Sequence, residues 1–262
     1  ALSPLSPFCL LDGPRESRCQ SGVERRECGD LHQGPRTTSS SLAAQRGNHM
    51  SLRLIGSARF RPLRNLWMLE ELGVPYVHEP VRPRSAEANA SNPFGKVPTL
   101  IDGEFTIYES VAINTYLGDK YRTSALELVP PPATTARGRY EQLIATIYGE
   151  LDCQALWIHR KHASDVAKFI GAPNPEATEV ARKHADKVVD VLADELGRSG
   201  GEYLLGSQFS AADILLVHCC NWAESIGWGE RWSGEAPQLQ GLAAYLERCR
   251  SRPAYARAKA LP

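Results

Sequence analysis

Asn92-Pro93-Phe94-Gly95-Lys96-Val97-Pro98-Thr99-Leu100, with Tyr108-Glu109-Ser110 shortly downstream, is the stretch that decides how this chain folds. Val97 to Ile101 is an apolar run of strand character, yet Pro98 stands at its start and can donate no ladder hydrogen bond. A proline there implies either a cis bond or a strand edge that offers its backbone to something other than a strand. Asp102-Gly103 predicts a tight turn, since both residues tolerate positive φ. Phe105 to Tyr108 reads as the returning strand. Glu109-Ser110 then opens an apolar-periodic helix through Val111, Ile113, Asn114 and Leu117. A hydroxyl at that position can cap free N–H groups, and those groups together with the helix dipole can receive a carboxylate. Ser110 is thus either a simple cap or part of an anion site.

Upstream, from Met50, Leu52, Leu54 and Gly56 alternate with polar neighbours and predict a first strand. Ser57-Ala58-Arg59-Phe60-Arg61 forms a turn. Pro62 suits the first position of a helix whose apolar face is Leu63, Leu66, Trp67 and Leu69, ended by Gly73 and Pro75. Tyr76 to Val81 reads as a second strand and Asn89 to Phe94 as a loop. Downstream, Val129-Pro130-Pro131-Pro132 marks a linker, and everything beyond it reads as helical. Arg139 to His159 is one amphipathic stretch, Pro173 and Pro175 break the next connection, and Val180 to Leu196 is a further helix. Ser210-Ala211-Ala212-Asp213 has the form of a capping box, with Phe209 and Ile214 at the staple positions. The element order is that of a thioredoxin-like α/β N-terminal domain (βαβαββα) followed by an all-α C-terminal domain.

The chain of 262 residues balances 30 basic against 30 acidic side chains, so no attraction to nucleic acid or to a membrane surface is implied. No apolar run is long enough to cross a bilayer. Its seven cysteines include no Cys-x-x-Cys pair, and the odd count argues against a closed disulfide framework. His159 and His162 share a probable helix but lack a partner at ligand spacing, so a solvated face is the reading and no metal is expected. Trp222, Trp228 and Trp232 read as core and domain-contact residues. Residues 1–49, rich in Ser, Pro, Gly and Arg, read as disordered or as an extension upstream of a start at Met50. The expectation is a reduced, cytoplasmic protein divided as 50–122, a Pro-rich linker 123–132, and 133–262.

The compound pattern Val97-Pro98-x-Leu100 with Glu109-Ser110, and the Ser210–Asp213 box, resemble the glutathione S-transferase family over nearly all of residues 51–262. The resemblance implies glutathione as co-substrate. Val97 would pair its backbone with the cysteinyl residue beside a cis Pro98. Glu109 would take the γ-glutamyl ammonium, Ser110 the γ-glutamyl carboxylate, and Lys96 the glycyl carboxylate. The family places the group that activates the thiol just after the first strand, where Ser57 is the hydroxyl and Arg59 adds positive potential. The segment Ser57-Ala58-Arg59-Phe60 departs from the serine-rich loops of many relatives, and it has neither the tyrosine nor the cysteine that other branches use. A serine-type transferase is implied. Its thiolate would attack a small hydrophobic electrophile or reduce a peroxide, in a pocket including Tyr148, Asp152 and Trp157. A homodimer is also implied. The alternative is a non-catalytic interaction or glutathione-binding module of the same fold.

Overall fold

The computed structural model describes residues 52–163, 172–200, 202–233 and 239–262. The expectations for residues 1–49, including Cys9, Cys19 and Cys28, fall outside these. Residues Asn48–Pro262 form one compact unit. Its first part is β1 (Leu52–Ile55), α1 (Leu63–Leu72), β2 (Tyr76–Glu79), α2 (Ala86–Ser91), β3 (Thr99–Asp102), β4 (Phe105–Tyr108) and α3 (Ser110–Lys120). The sheet order is β2-β1-β3-β4, with β1 parallel to β2 and the other pairs antiparallel. This is the thioredoxin-like arrangement that the element order predicts. Leu54 and Leu100 from the sheet and Leu66, Leu69, Ile113 and Leu117 from α1 and α3 are fully buried between the layers.

Three local readings are corrected. β2 stops at Glu79 rather than Val81, because Pro80 cannot donate to the ladder. The supposed loop from Asn89 begins inside α2, a short helix of alanine-rich sequence whose cap is Ser85, its hydroxyl oxygen accepting from the Ala88 N–H at 3.2 Å. The hairpin turn lies one residue later than expected, at Gly103-Glu104, with positive φ only at Gly103 (64°). Asp102 is instead the last residue of β3, and its carboxylate accepts from Tyr116 at 2.6 Å and pairs with Lys120.

The helical part begins with α4 (Thr135–Thr146), which runs directly into a π-helical segment (Ile147–Leu156) and on into α5 (Trp157–His162). The rod therefore covers the stretch read as Arg139 to His159 and extends past both ends, Thr134 capping its start. Next comes α6 (Pro175–Arg198), where Pro175 opens the helix rather than breaking it and Asn174 caps Ala177 N–H at 3.0 Å. Then follow α7 (Ala211–Ser225), α8 (Glu230–Ser233), α9 (Gln240–Arg250) and α10 (Pro253–Lys259). The last helix returns to α1, where Arg252 binds Glu71 and Arg257 binds Glu70, each with a 2.6 Å contact. Trp67 of α1 meets Tyr255 and Phe209 at centroid distances of 4.7 and 5.5 Å. No described helix is long and apolar enough to cross a membrane.

Two buried polar anchors hold these layers. The capping box at α7 is present, and Asp213 does more than close it. Its carboxylate accepts from Ser210 N–H and hydroxyl (both 2.8 Å), Leu204 N–H (3.0 Å) and the Tyr245 hydroxyl (2.9 Å). The second anchor joins α1 to the π-helical segment: Arg64, 1% exposed, and Arg61 both pair with the fully buried Asp152. Burial opposes ionisation of Asp152, but Arg64 and Arg61 beside it hold the carboxyl at about 2.

Asp213→Ala strands four buried donors and should cost on the order of 3 kcal/mol in a urea titration, more than the loss of a surface cap. Asp152→Asn leaves two guanidinium groups without a counter-charge, and a loss of roughly 3–5 kcal/mol is expected near neutral pH. Because the folded-state pKa of Asp152 is depressed, its contribution is complete above the ordinary carboxylate range and disappears as pH falls toward about 2. The stability gap between wild type and Asp152→Asn should therefore close across that acid window.

Candidate active site

The β3–β4 register constructs the site. Thr99 pairs with Tyr108 and Leu100 with Ile107, so the ladder ends one residue short of Pro98 on one arm and of Glu109 on the other. Pairing of β3 with β1 ends at Ile55–Thr99, which leaves the Val97 backbone beyond the ladder. The Val97–Pro98 bond is cis, resolving the sequence alternatives in favour of a cis bond, since β3 lies inside the sheet. Gly56 closes the floor: a Cβ there would lie 2.4 Å from Pro62 Cγ and 2.8 Å from Val97 Cβ, and its φ of 134° is one that side-chain-bearing residues avoid.

Glu109 precedes α3 with φ 75° and ψ 114°, a costly conformation for a non-glycine residue and one that gathers at ligand clamps. It is exposed, and its Oε2 accepts from the Tyr148 hydroxyl at 3.0 Å. Burial, and then Glu109, raise the Tyr148 phenol above its ordinary range. Ser110 is the first helical residue and not the cap: Glu109 holds that position, and its side chain makes no capping hydrogen bond. Its hydroxyl oxygen accepts instead from Arg64 Nη1 at 3.1 Å, and its carbonyl accepts from Asn65 Nδ2 at 2.8 Å. Asn65 also donates to Asn114 Oδ1 at 2.7 Å, and Asn114 returns a bond to the Arg64 carbonyl at 3.2 Å. The amides at the start of α3, the Ser110 hydroxyl and a buried guanidinium thus share one corner, a geometry suited to a carboxylate.

Ser57 follows β1 and is 6% exposed. The backbone N–H groups of residues 57–60 are all engaged. Ser57 N–H donates to Val81 O (3.0 Å), Ala58 N–H to Pro262 O (3.0 Å) and Phe60 N–H to Ser57 O (3.2 Å). Arg59 N–H donates to Ser57 Oγ at 3.3 Å. That leaves the Ser57 hydroxyl proton as the donor of the turn without an assigned acceptor. Arg59 is exposed on the same turn. Lys96 is exposed, its Nζ 5.4 Å from the Trp157 ring centroid.

Sequence reasoning missed Arg61 and Arg64, which lie in the helix-opening segment and carry no local motif. Arg61 is bound to Asp152 and lies between Trp157 and Trp222, its Cζ 4.8 and 5.0 Å from the two ring centroids. Arg64 Nη2 also contacts His218 Nδ1 at 3.1 Å. Arginine only donates, so this nitrogen accepts and His218 is neutral. Burial, and then Arg64, push His218 well below its ordinary value. The described cysteines are not poised as nucleophiles: burial raises Cys153 and lifts Cys219 to about 12. His159 does not lie on a solvated face; its ring stands edge-on to Trp228 at 4.9 Å. Trp228 and Trp232 are buried, as core residues should be. Among the described residues no three potential metal ligands converge.

The sequence profile of the glutathione S-transferase N-terminal domain matches residues 62–120, and that of the C-terminal domain matches residues 175–248. Glutathione S-transferase hmp2 of Hypomyces subiculosus is 34% identical over 187 residues, 68% of this chain and 85% of that relative. Glutathione S-transferase 3 of Zea mays is 31% identical over 130 residues, 47% of this chain and 54% of its own length, so the chain matches about half of that relative. Among solved structures, glutathione S-transferase III in apo form superposes with TM-score 0.63 at 24% identity, covering 81% of this chain and 97% of that one. Glutathione S-transferase-I bound with lactoylglutathione gives TM-score 0.65 at 22% identity, covering 80% and 99%. The matching domain profiles and the length shared with the Hypomyces relative agree with the fold and the cis-proline corner, and the chain belongs to the glutathione S-transferase family.

Proposed function

We propose that this chain is a glutathione transferase of the serine type, activating the glutathione thiolate for attack on a small electrophile. The observation that carries this reading is that the cis Val97–Pro98 bond and the strained Glu109 at the start of α3 both adjoin the last β3–β4 pair. Glutathione carries two carboxylates and one ammonium. Ser110, with the α3 amides, takes the γ-glutamyl carboxylate, Glu109 the ammonium, and Lys96 the glycyl carboxylate. Val97 binds the cysteinyl backbone beside Pro98. Arg64 acts as a positioning residue: by donating to the Ser110 oxygen it leaves that hydroxyl's proton free to donate outward. Tyr148 holds Glu109 until the ammonium competes for it.

The chemistry requires a thiolate, and a free thiol has a pKa of about 8.5. Lowering it by one to two units requires roughly 1.4–2.7 kcal/mol of preference for the anion. One hydrogen bond to a charged acceptor contributes about 1.5–3 kcal/mol, so a single hydroxyl suffices. With the amides of residues 57–60 engaged, we assign that donor to Ser57, with Arg59 adding positive potential. Residues 50–122 form the glutathione-binding domain. The helical domain, 133–262, supplies the wall against which the electrophile rests, including Tyr148 and Trp157. Asp152 is too deeply buried to touch a substrate and acts through Arg61. We propose a homodimer as the working assembly.

Ultraviolet difference titration of the protein–glutathione complex tests this reading. A bound-thiol pKa about one to two units below that of free glutathione is expected, rising again in Ser57→Ala with glutathione affinity changed less than about threefold. Glu109→Ala should weaken glutathione binding about tenfold or more while leaving the pKa of whatever binds still depressed. Saturable binding with an unshifted thiol would favour a glutathione-binding module without catalysis.

A further inference from the structure

The charge around Trp157 exceeds what glutathione requires. Four cations lie within contact of this one ring: Arg61 at 4.8 Å, Lys96 at 5.4 Å, Arg160 at 5.7 Å and Lys161 at 6.0 Å from the ring centroid. They come from the turn before α1, the loop before β3, and α5, so both parts of the chain contribute. Trp222 adds a second aromatic wall at 6.5 Å from Trp157. Asp152 is already divided between Arg61 and Arg64, so that triad keeps a net positive charge, and Glu109 nearby is bound to Tyr148. Lys96, Arg160 and Lys161 have no ion pair among the described residues. Burial, followed by repulsion from Arg61 and Arg84, pulls Arg160 below its ordinary value, as expected where like charges crowd without an anion. In the transferase reading Lys96 answers the glycyl carboxylate, which leaves Arg160 and Lys161 unanswered.

We infer that the electrophile this site takes is an anionic aromatic compound, its carboxylate or sulfonate held by Arg160 and Lys161 and its ring lying against Trp157. The inference rests on the transferase reading for the word electrophile, but the anion site itself does not require glutathione. A flat apolar body with one negative charge satisfies the aromatic wall and the surplus cations together. A neutral apolar electrophile would leave those cations to water.

The test is equilibrium binding to the full chain of 3,5-dinitrobenzoate and of its neutral methyl ester, read by tryptophan quenching, first without glutathione and then with glutathione saturating. The benzoate should bind about tenfold more tightly than the ester, a difference of about 1.4 kcal/mol. Raising the salt from about 0.05 to about 0.5 M should erase most of that preference, since the Debye length shrinks below the span of the patch. The double substitution Arg160→Gln with Lys161→Gln should reduce the preference to about twofold, and the salt series on the unaltered protein carries the test if that variant fails to fold. Equal affinities for the two ligands, a preference insensitive to salt, or displacement of the benzoate by glutathione would each overturn the inference. Failure of glutathione to bind while the benzoate preference persists would instead overturn the transferase reading and leave the anion site standing.

Discussion

A guanidinium with 1% of its surface exposed cannot be left to itself, and the arrangement around Arg64 follows from that constraint. Its charge is answered by Asp152 from the π-helical segment, while its remaining donors reach Ser110 at the head of α3 and His218 on α7. Four elements far apart in sequence are thereby fixed around one side chain. An apolar replacement of such a pair often matches it in stability, so its worth here lies in orientation. It sets which way the Ser110 hydroxyl points and in which protonation state His218 is held. One donor, Nε, has no partner among the described residues, a local cost that the surrounding bonds must offset.

The parts of the fold that were legible in the sequence are those whose signals are local. The Val97-Pro98 pair, the hairpin, Glu109-Ser110 and the Ser210–Asp213 box each concern residues within a few positions of one another, and backbone chemistry limits what they can do. Ser85 and Pro175 are equally local signals, a serine three positions before the amide it caps and a proline at a first helical position. The Arg61–Asp152 and Arg64–Asp152 pairs lie about ninety positions apart, and nothing in either neighbourhood announces the other. For Ser110 the local rule favoured capping, and a distant arginine claimed the hydroxyl. The π-helical segment carries Gly149 and Asp152, but neither residue type distinguishes a π-helical turn from an α-helical one. The cations around Trp157 come from three separate stretches, and balanced net charge concealed their convergence.

On the proposed reading, thiol activation and substrate choice would be served by different physics. The turn after β1 would work at short range through the Ser57 hydroxyl, beside engaged amides. The rim around Trp157 would work through charge and would be correspondingly open to the ionic composition of the medium. The described cysteines, pushed toward the neutral thiol by burial, take no part in either.

The hairpin at Gly103-Glu104 carries one more implication. Surface turns usually absorb insertions and deletions freely, because little depends on their length. This one acts as a ruler, since the pairing it sets ends at Thr99 opposite Tyr108, with Pro98 and Glu109 the next residue on each arm. A single added residue would slide one arm past the other and turn each of its side chains to the opposite face. Length in this exposed turn is therefore under a constraint that its own composition does not reveal, and diversification of the family's ligand corner is freer by substitution than by insertion.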